Sequence, residues 1–474
     1  MLKPEALGET ARNFPGLNLA GIENTVLATI INRKVEDVKK IEPPREPYAG
    51  TVRSLAAALQ GGSGRHFIME CKQSSPTLGD FCKDFDLDRY IRCYEQHASA
   101  ISVLCEEHFF KGSLEYLKYV RSRTSLPVLC KDFVICEAQL EQARAAGADA
   151  VLLMLSVLTE ERFRELYAKA RALGLEVLTE VDNETQARFA ASLRLPVIGI
   201  NNRNLRILKI DLNRTLQLLP LLPRESVIIS ESGICSHGDL LHLKGVKNFL
   251  IGSALTGSED VFFTANSMLY GTNKICGLAT TEGLAAAVAA HAAIAGFIFF
   301  KKSPRCVSPE HARILMEPWR GRIRFAGVFV NATIEEMTGI ATALKLDYLQ
   351  LHGSESPQLI AELKSRLPRI KIIKALNISS PESFEAAKNY QGCCDLLLLD
   401  SKAPGSGSSF AWSQIPNFID RDKTLLSGGI GLSNLEDALS YGFAGLDLNS
   451  RLEISPGVKD PQLIKQAFEI IRSF

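Results

Sequence analysis

Ala150–Glu180 reads AVLLMLSVLTEERFRELYAKARALGLEVLTE. The opening Ala150–Leu155 is apolar on both faces, and so is most of the closing Leu175–Glu180. Between them, EERFRELYAKARALG carries apolar residues at helical spacing and ends at Gly174, a residue suited to a helix C-cap. Strands buried on both faces and joined by a helix belong to a parallel sheet. The same alternation extends outward through Phe67–Cys71, Ala100–Leu104, Pro127–Lys131, Pro196–Asn201, Ser226–Glu231 and Asn248–Gly252. With the two strands of the quoted stretch these make eight units in about 190 residues, which predicts a closed (β/α)8 barrel rather than an open sheet.

The pattern then repeats. Asn273–Gly277, Gly296–Phe300, Arg324–Val330, Asp347–Leu351, Lys371–Ala375, Asp395–Leu399, Lys423–Ser427 and Gly445–Leu448 supply eight more candidate strands. The expected fold class is α/β, as two consecutive (β/α)8 TIM barrels: residues 1–262 with an N-terminal helical extension, and residues 272–474. Residues before about 65, including the PPREP loop, are expected to cap the first barrel. Gly257–Gly271 is a linker or that barrel's final helix.

Composition narrows the class. The 474 residues are 46% hydrophobic and 23% charged, proportions of a globular chain too long for one core. Fifty-four basic residues against 53 acidic give a net charge of +1, with no basic stripe, so nucleic acid is not an expected partner. MLKPEALGET lacks the basic and apolar regions of a secretory signal. Gly283–Phe300 is apolar and of membrane length, but it passes from Ala-rich helix to aromatic strand and contains His291 and Gly296. It reads as helix then buried strand, not a membrane span. The 11 Cys form no CxxC, and ten are expected to be buried free thiols of a cytoplasmic protein. The eight His show no metal-ligand spacing, and no metal is expected.

Active sites of this fold lie at the C-terminal ends of the strands. In the first series these ends carry Glu70 and Lys72, Lys131, Glu180, Asn201 with Arg203, Glu231 with Ser232 and Gly233, and Gly252 with Ser253. One such group is an ordinary solvated loop residue. Mixed charges converging on one mouth suit acid–base work on a small anion. The glycines after the seventh and eighth strands suit a phosphate. FIMECKQSSP, VLCKDF, VLTEV, IGINNRNL, IISESGI and FLIGSAL, spread from Phe67 to Leu255, resemble the indole-3-glycerol-phosphate synthase family.

That resemblance implies closure of an indole ring on 1-(2-carboxyphenylamino)-1-deoxyribulose 5-phosphate, with loss of CO2 and water. It makes Lys131 the general acid at the substrate carbonyl oxygen and Glu180 the base or proton relay of dehydration. Glu70 and Lys72 orient the substrate and exchange protons. Ser75, Asn201, Arg203, Glu231 and Ser232 bind it, and Gly233, Gly252 and Ser253 hold its phosphate. A lysine with a lowered pKa is expected to deliver the proton at neutral pH.

In the second series the strand ends carry Cys276, Arg305 in SPRCVS, Gln350 and His352, Asp400 after four leucines, LSGGI, and LDLNS. A lone Cys before a glycine is usually a small buried hydrophobe. Here a carboxylate stands at the end of an apolar strand, where burial raises a pKa toward that of a general acid, and a thiolate facing it suits a base. PGSGSS lies inside a repeat unit and reads as an active-site loop. From Lys274 to Asp460, including GLDLNSRLE and PGVKD, the chain resembles phosphoribosylanthranilate isomerase. The implied reaction is an Amadori rearrangement. Asp400 acts as acid on the furanose oxygen and Cys276 as base at C2′. Arg305, Gln350 and His352 contact substrate, Arg305 through the anthranilate carboxylate, while Gly428, Gly429, Asn449 and Ser450 hold phosphate. Three residues depart from that family's pattern: Ser406 for Thr, Ala411 for Asp, and Arg451 for a small residue.

The two resemblances join, because the product of the second barrel is the substrate of the first. They imply a monomeric cytoplasmic enzyme of tryptophan biosynthesis that acts on phosphorylated anthranilate-sugar substrates and needs no metal and no organic cofactor. Two other readings are weaker on the residues. A histidine-pathway isomerase calls for paired Asp residues in place of Cys276 with Asp400. A non-catalytic descendant would have lost Lys131, Glu180, Cys276 or Asp400.

Overall fold

The structure, a computed structural model, describes residues 3–44, 46, 48, 50–61, 64–82, 84–401 and 409–474. Arg45 and Pro47 of the PPREP loop, and Ser406 with the rest of 402–408 in the PGSGSS loop, lie outside the described residues.

Eight parallel strands close the first barrel: β1 His66–Cys71, β2 Ala100–Leu104, β3 Val128–Lys131, β4 Ala150–Met154, β5 Glu176–Val181, β6 Val197–Asn201, β7 Val227–Glu231 and β8 Asn248–Ile251. Eight more close the second: β9 Lys274–Ile275, β10 Ile294–Ile298, β11 Arg324–Phe329, β12 Tyr348–Leu351, β13 Lys371–Ile378, β14 Leu396–Ser401, β15 Thr424–Leu426 and β16 Gly445–Leu448. The α/β class and the two consecutive (β/α)8 barrels therefore stand as read from the sequence. β10 begins two residues before the expected Gly296, and Phe299 and Phe300 lie beyond its end. Gly283–Phe300 divides between helix Thr281–Ala289 and β10, and among the described residues no helix is long and apolar enough to cross a membrane.

Compact grouping of contacts divides the chain into Met1–Cys235 with His242–Val261, and Ser236–Leu241 with Phe262–Phe474. By this grouping helix Val261–Tyr270 falls almost wholly with the second unit. Phe263 explains the grouping, because it packs on the second barrel's core cluster of Ala293, Ile294, Ala326, Tyr348, Ile373, Ala375, Leu398 and Leu425.

A repeated device fixes the N-terminal ends of the strands. Asp149, Asp347 and Asp395 each stand immediately before a strand. Each accepts the backbone N–H of a residue on the preceding strand, Val128, Phe325 or Ile372, at 2.8 Å. A short carboxylate there satisfies a donor the sheet leaves open. In the first unit Arg121 pairs with Asp149 at 2.8 Å, both buried. These polar groups belong to the stability end of each barrel, and the C-terminal mouths are left for chemistry.

Helix α1, Val26–Val38, precedes the first barrel and is capped by Thr25, whose hydroxyl accepts the Ala28 N–H at 3.1 Å. Buried Lys34 reaches from α1 to Asp132, after β3, at 2.8 Å. Of the eleven cysteines only five are buried, with five half-buried and Cys235 exposed. The expectation of ten buried thiols was too high. Cys82, Cys136, Cys306, Cys393 and Cys394 fall outside the barrel strands, where apolar neighbours in sequence do not guarantee cover.

Candidate active sites at the two barrel mouths

At the first mouth a cavity of about 320 Å³ opens among the ends of the strands. Its lining includes every first-barrel candidate: Glu70, Lys72, Ser75, Lys131, Glu180, Asn201, Arg203, Glu231, Ser232, Gly233, Gly252 and Ser253. Val26, Leu27 and Ile30 of α1, with Phe110 and Leu78, add an apolar wall. A polar strand-end floor under apolar walls suits a small molecule with one anionic and one aromatic end.

The charged groups alternate in sign. Lys72 Nζ lies 2.7 Å from Glu70 Oε1, and Lys131 Nζ donates to Glu231 Oε2 at 2.5 Å. Asn201 donates to Glu180 Oε1 at 3.0 Å and accepts the Arg203 N–H at 2.9 Å. Glu231 is 1% exposed, and among the described residues its Oε1 has no hydrogen-bond partner. Gly199, in the middle of β6, makes room for that oxygen: a Cβ there would sit 1.8 Å from it.

These contacts set the protonation states. Burial works to raise the Glu70 carboxyl, but Lys72 and Lys131 outweigh it and hold the group below its ordinary value. Burial lowers the Lys131 ammonium, yet Glu231, Glu70 and Glu180 together carry it above the usual lysine range. The expectation of a lowered lysine pKa is thus corrected for Lys131. Three carboxylates surround it, and their field exceeds the cost of burial. Glu180 moves the other way. Burial, and then the Glu231 charge, push it up to about 7 against the pull of Lys131 and Asn201. That value is poised for proton exchange near neutrality.

Two backbone features flank this floor. Ser232 and Gly233 both take positive φ, 68° and 84°, just past β7. Gly252 precedes the single helical turn Ser253–Thr256 after β8.

The second mouth opens on a cavity of about 370 Å³. Cys276, Arg305, Gln350, His352, Asp400, Gly428, Gly429, Asn449 and Ser450 all line it, together with Asp447. Asp400, 6% exposed, accepts the Ser401 N–H at 2.8 Å, and His352 Nε2 stands 3.5 Å from its Oδ2. Gln350 Nε2 lies 3.2 Å from His352 Nδ1, which orders the pair. Gly428 and Gly429 have φ of 94° and 63°, a conformation open to glycine, so consecutive backbone groups turn at the rim.

Sequence reasoning missed further charged groups around this mouth. Arg305 is not free: Glu453 accepts from its Nε at 2.9 Å and from its Nη2 at 2.7 Å, which leaves Nη1 over. Fully buried Lys459 donates to Glu453 Oε1 at 2.7 Å and to Asn449 Oδ1 at 2.8 Å. Lys274, on β9, pairs with Asp447, on β16, at 2.8 Å with no exposure at all. Further out, Lys374 donates to Glu355 at 2.9 Å and to the Gly353 carbonyl at 2.6 Å, anchoring the loop that follows His352. A Lys at period two with Cys276, and the Glu and Lys of RLE and VKD, were the available signals. Ala411 is exposed and begins the 3-10 turn Trp412–Gln414 with no side-chain cap. Arg451 is exposed. Among the described residues no group of three or more His, Cys, Asp or Glu is placed to hold a metal ion.

Comparison with known proteins agrees with the division into two. Residues 27–268 match the indole-3-glycerol phosphate synthase family, and residues 273–470 the N-(5′-phosphoribosyl)anthranilate isomerase family. The tryptophan biosynthesis protein TrpCF of Vibrio cholerae is 40% identical over 462 residues, spanning 95% of this chain and 96% of that one. The protein of the same name from Salmonella typhi is 41% identical over 458 residues, 95% of this chain and all of that one. A crystal structure of phosphoribosyl anthranilate isomerase from Thermotoga maritima is 33% identical and covers 43% of this chain and all of its own, with a TM-score of 0.40.

Proposed function

Since the chain belongs to the indole-3-glycerol phosphate synthase family over its first barrel and to the phosphoribosylanthranilate isomerase family over its second, we propose that the two strand-end constellations described above perform those reactions. The chain is a bifunctional enzyme of tryptophan biosynthesis. Its second barrel converts N-(5-phosphoribosyl)anthranilate to 1-(2-carboxyphenylamino)-1-deoxyribulose 5-phosphate, and its first converts that product to indole-3-glycerol phosphate, CO2 and water. Its substrates are phosphorylated anthranilate derivatives. Residues 1–262 and 272–474 are assigned to the two activities, in a cytoplasmic monomer without nucleic-acid partners.

In the second barrel Asp400 gives its proton to the furanose oxygen. The C1′–O bond breaks and the anilino nitrogen's lone pair forms the Schiff base. Cys276 removes the C2′ proton, and the C–H electrons become the enolamine double bond, which tautomerises to the ketone. The two groups line one cavity, one as acid and the other as base. Arg305 meets the anthranilate carboxylate through Nη1, the part of the guanidinium that Glu453 leaves over. Gly428, Gly429, Asn449 and Ser450 receive the phosphate, with Gln350 and His352 along the sugar.

In the first barrel Lys131 protonates the ketone oxygen as the anthranilate ring carbon attacks. Loss of CO2 restores the ring electrons, with the carboxylate leaving beside Lys72. Glu180, near neutrality in its proton affinity, takes a proton during dehydration. Glu70 holds Lys72 in place, Ser75, Asn201, Arg203, Glu231 and Ser232 contact the substrate, and Gly233, Gly252 and Ser253 take its phosphate.

The observation that carries this reading is the gathering of all the candidate groups into two cavities, one per barrel. Partial blocks test it. With phosphoribosylanthranilate supplied, Lys131→Met should accumulate the carboxyphenylamino ketone, and Asp400→Asn should leave the starting compound unchanged. Indole-3-glycerol phosphate formed at the wild-type rate by either variant would refute the assignment.

A further inference from the structure

Beneath the second mouth lies a charged pair that the acid–base scheme does not use. Lys274 and Cys276 are two apart at the end of β9, so both side chains face the barrel interior. Lys274 Nζ is completely buried and 2.8 Å from Asp447 Oδ1, its register partner on β16. On the other flank, β10 brings Gly296 against both side chains. A Cβ there would come within 2.8 Å of Lys274 Cε, 3.1 Å of Lys274 Nζ and 3.0 Å of the Cys276 sulfur. The ammonium and the thiol therefore share one hollow that a single methyl group would close.

A buried lysine–carboxylate pair is a poor way to stabilise a barrel, because desolvation consumes most of the Coulombic gain. Its placement gives it another use. We propose that Lys274 is a positioning residue of the isomerase, the fixed counter-ion that receives the negative charge of the Cys276 thiolate, and that Asp447 holds it there. The inference rests on the reading of Cys276 as the base. Loss of the C2′ proton to sulfur needs the thiolate first, and Cys276 is only 4% exposed, so little bulk water reaches it. Lys274 supplies the solvation that water would give. Burial holds the Cys276 thiol above its ordinary value, and Lys274 is the largest pull against that rise. The other charged groups around the sulfur are Asp447 and Lys459, with Lys302, Arg305, Asp400 and His352 elsewhere on the same cavity's lining.

Two substitutions of opposite sign test it in the full-length enzyme. Alkylation of Cys276 by iodoacetamide is followed across pH by mass spectrometry of its peptide, beside isomerase kcat and KM. Lys274→Met should move the alkylation midpoint up by about one pH unit or more and lower kcat about tenfold or more, with KM little changed. Asp447→Asn keeps the lysine and removes a nearby negative charge, so its midpoint should move down. The double variant Lys274→Met/Asp447→Asn leaves no unpaired buried charge, and it takes the place of Lys274→Met if that variant fails to fold. Midpoints that stay put, or move in the same direction in both single variants, overturn the proposal. Cys276→Ser separates it from its premise: if that variant still isomerises at the wild-type rate, the reading of Cys276 as base fails. If it is inactive while the midpoints do not move, only the role of Lys274 fails.

Discussion

Gly199→Ala is the sharpest perturbation the first barrel allows. The position takes an ordinary negative φ, so the backbone accepts alanine. The side chain does not fit: its Cβ would stand 1.8 Å from Glu231 Oε1, where ordinary contact begins near 3.4 Å. The carboxylate must retreat by about 1.6 Å, the difference of those two distances. Glu231 also accepts from Lys131 at 2.5 Å, so the lysine loses its partner or follows it. A misplacement of about 1 Å at a reacting group costs on the order of a hundredfold in rate, or about 2.7 kcal/mol of barrier. Steady-state formation of indole-3-glycerol phosphate from the carboxyphenylamino ketone should fall by about that factor. Isomerase turnover in the same preparation should be unchanged, because Gly199 belongs to the other unit. Indole formation within about threefold of wild type would refute the placing of Lys131 and Glu231 in the chemistry.

Three other outcomes follow from named contacts. Glu180 binds its proton up to about pH 7, so a step that needs its carboxylate speeds up as pH rises through that value; the pH–rate profile of Glu180→Gln should lose that limb. Glu453→Ala leaves buried Arg305 and Lys459 without their shared carboxylate. It should destabilise the second barrel by about 3–5 kcal/mol and raise the isomerase KM, read by denaturant unfolding and initial rates. Ala411→Asp should restore an N-cap to the turn Trp412–Gln414 and stabilise the second barrel by about 0.5–1 kcal/mol in the same unfolding experiment.

The alternation of buried strand and helix was enough to read both barrels, because a strand covered on both faces has to be apolar throughout. That same uniformity hides strand ends. In Ala292–Phe300 every residue is apolar or Gly, and β10 slipped two places from its expected start. The mouth residues were legible because polar groups after apolar strands break the pattern. Lys274, Asp447, Glu453 and Lys459 were not, for the opposite reason. Each is a charge within a strand or in the short hairpin that follows β16, and only the register of β9 with β16 and the fold of that 453–459 hairpin bring its partner near. Arg305 shows the consequence. Its place at the strand end was readable, but its engagement with Glu453, 148 residues away, was not.

The most direct test of two consecutive reactions on one chain is a time course by chromatography. Freshly made phosphoribosylanthranilate is given to the purified wild-type protein in the presence of a chelator. The prediction is enzyme-dependent loss of phosphoribosylanthranilate, transient carboxyphenylamino-deoxyribulose phosphate, and then indole-3-glycerol phosphate as the final product. A reaction that stops at the intermediate contradicts the assignment of the first barrel, and the absence of any enzyme-dependent loss contradicts that of the second.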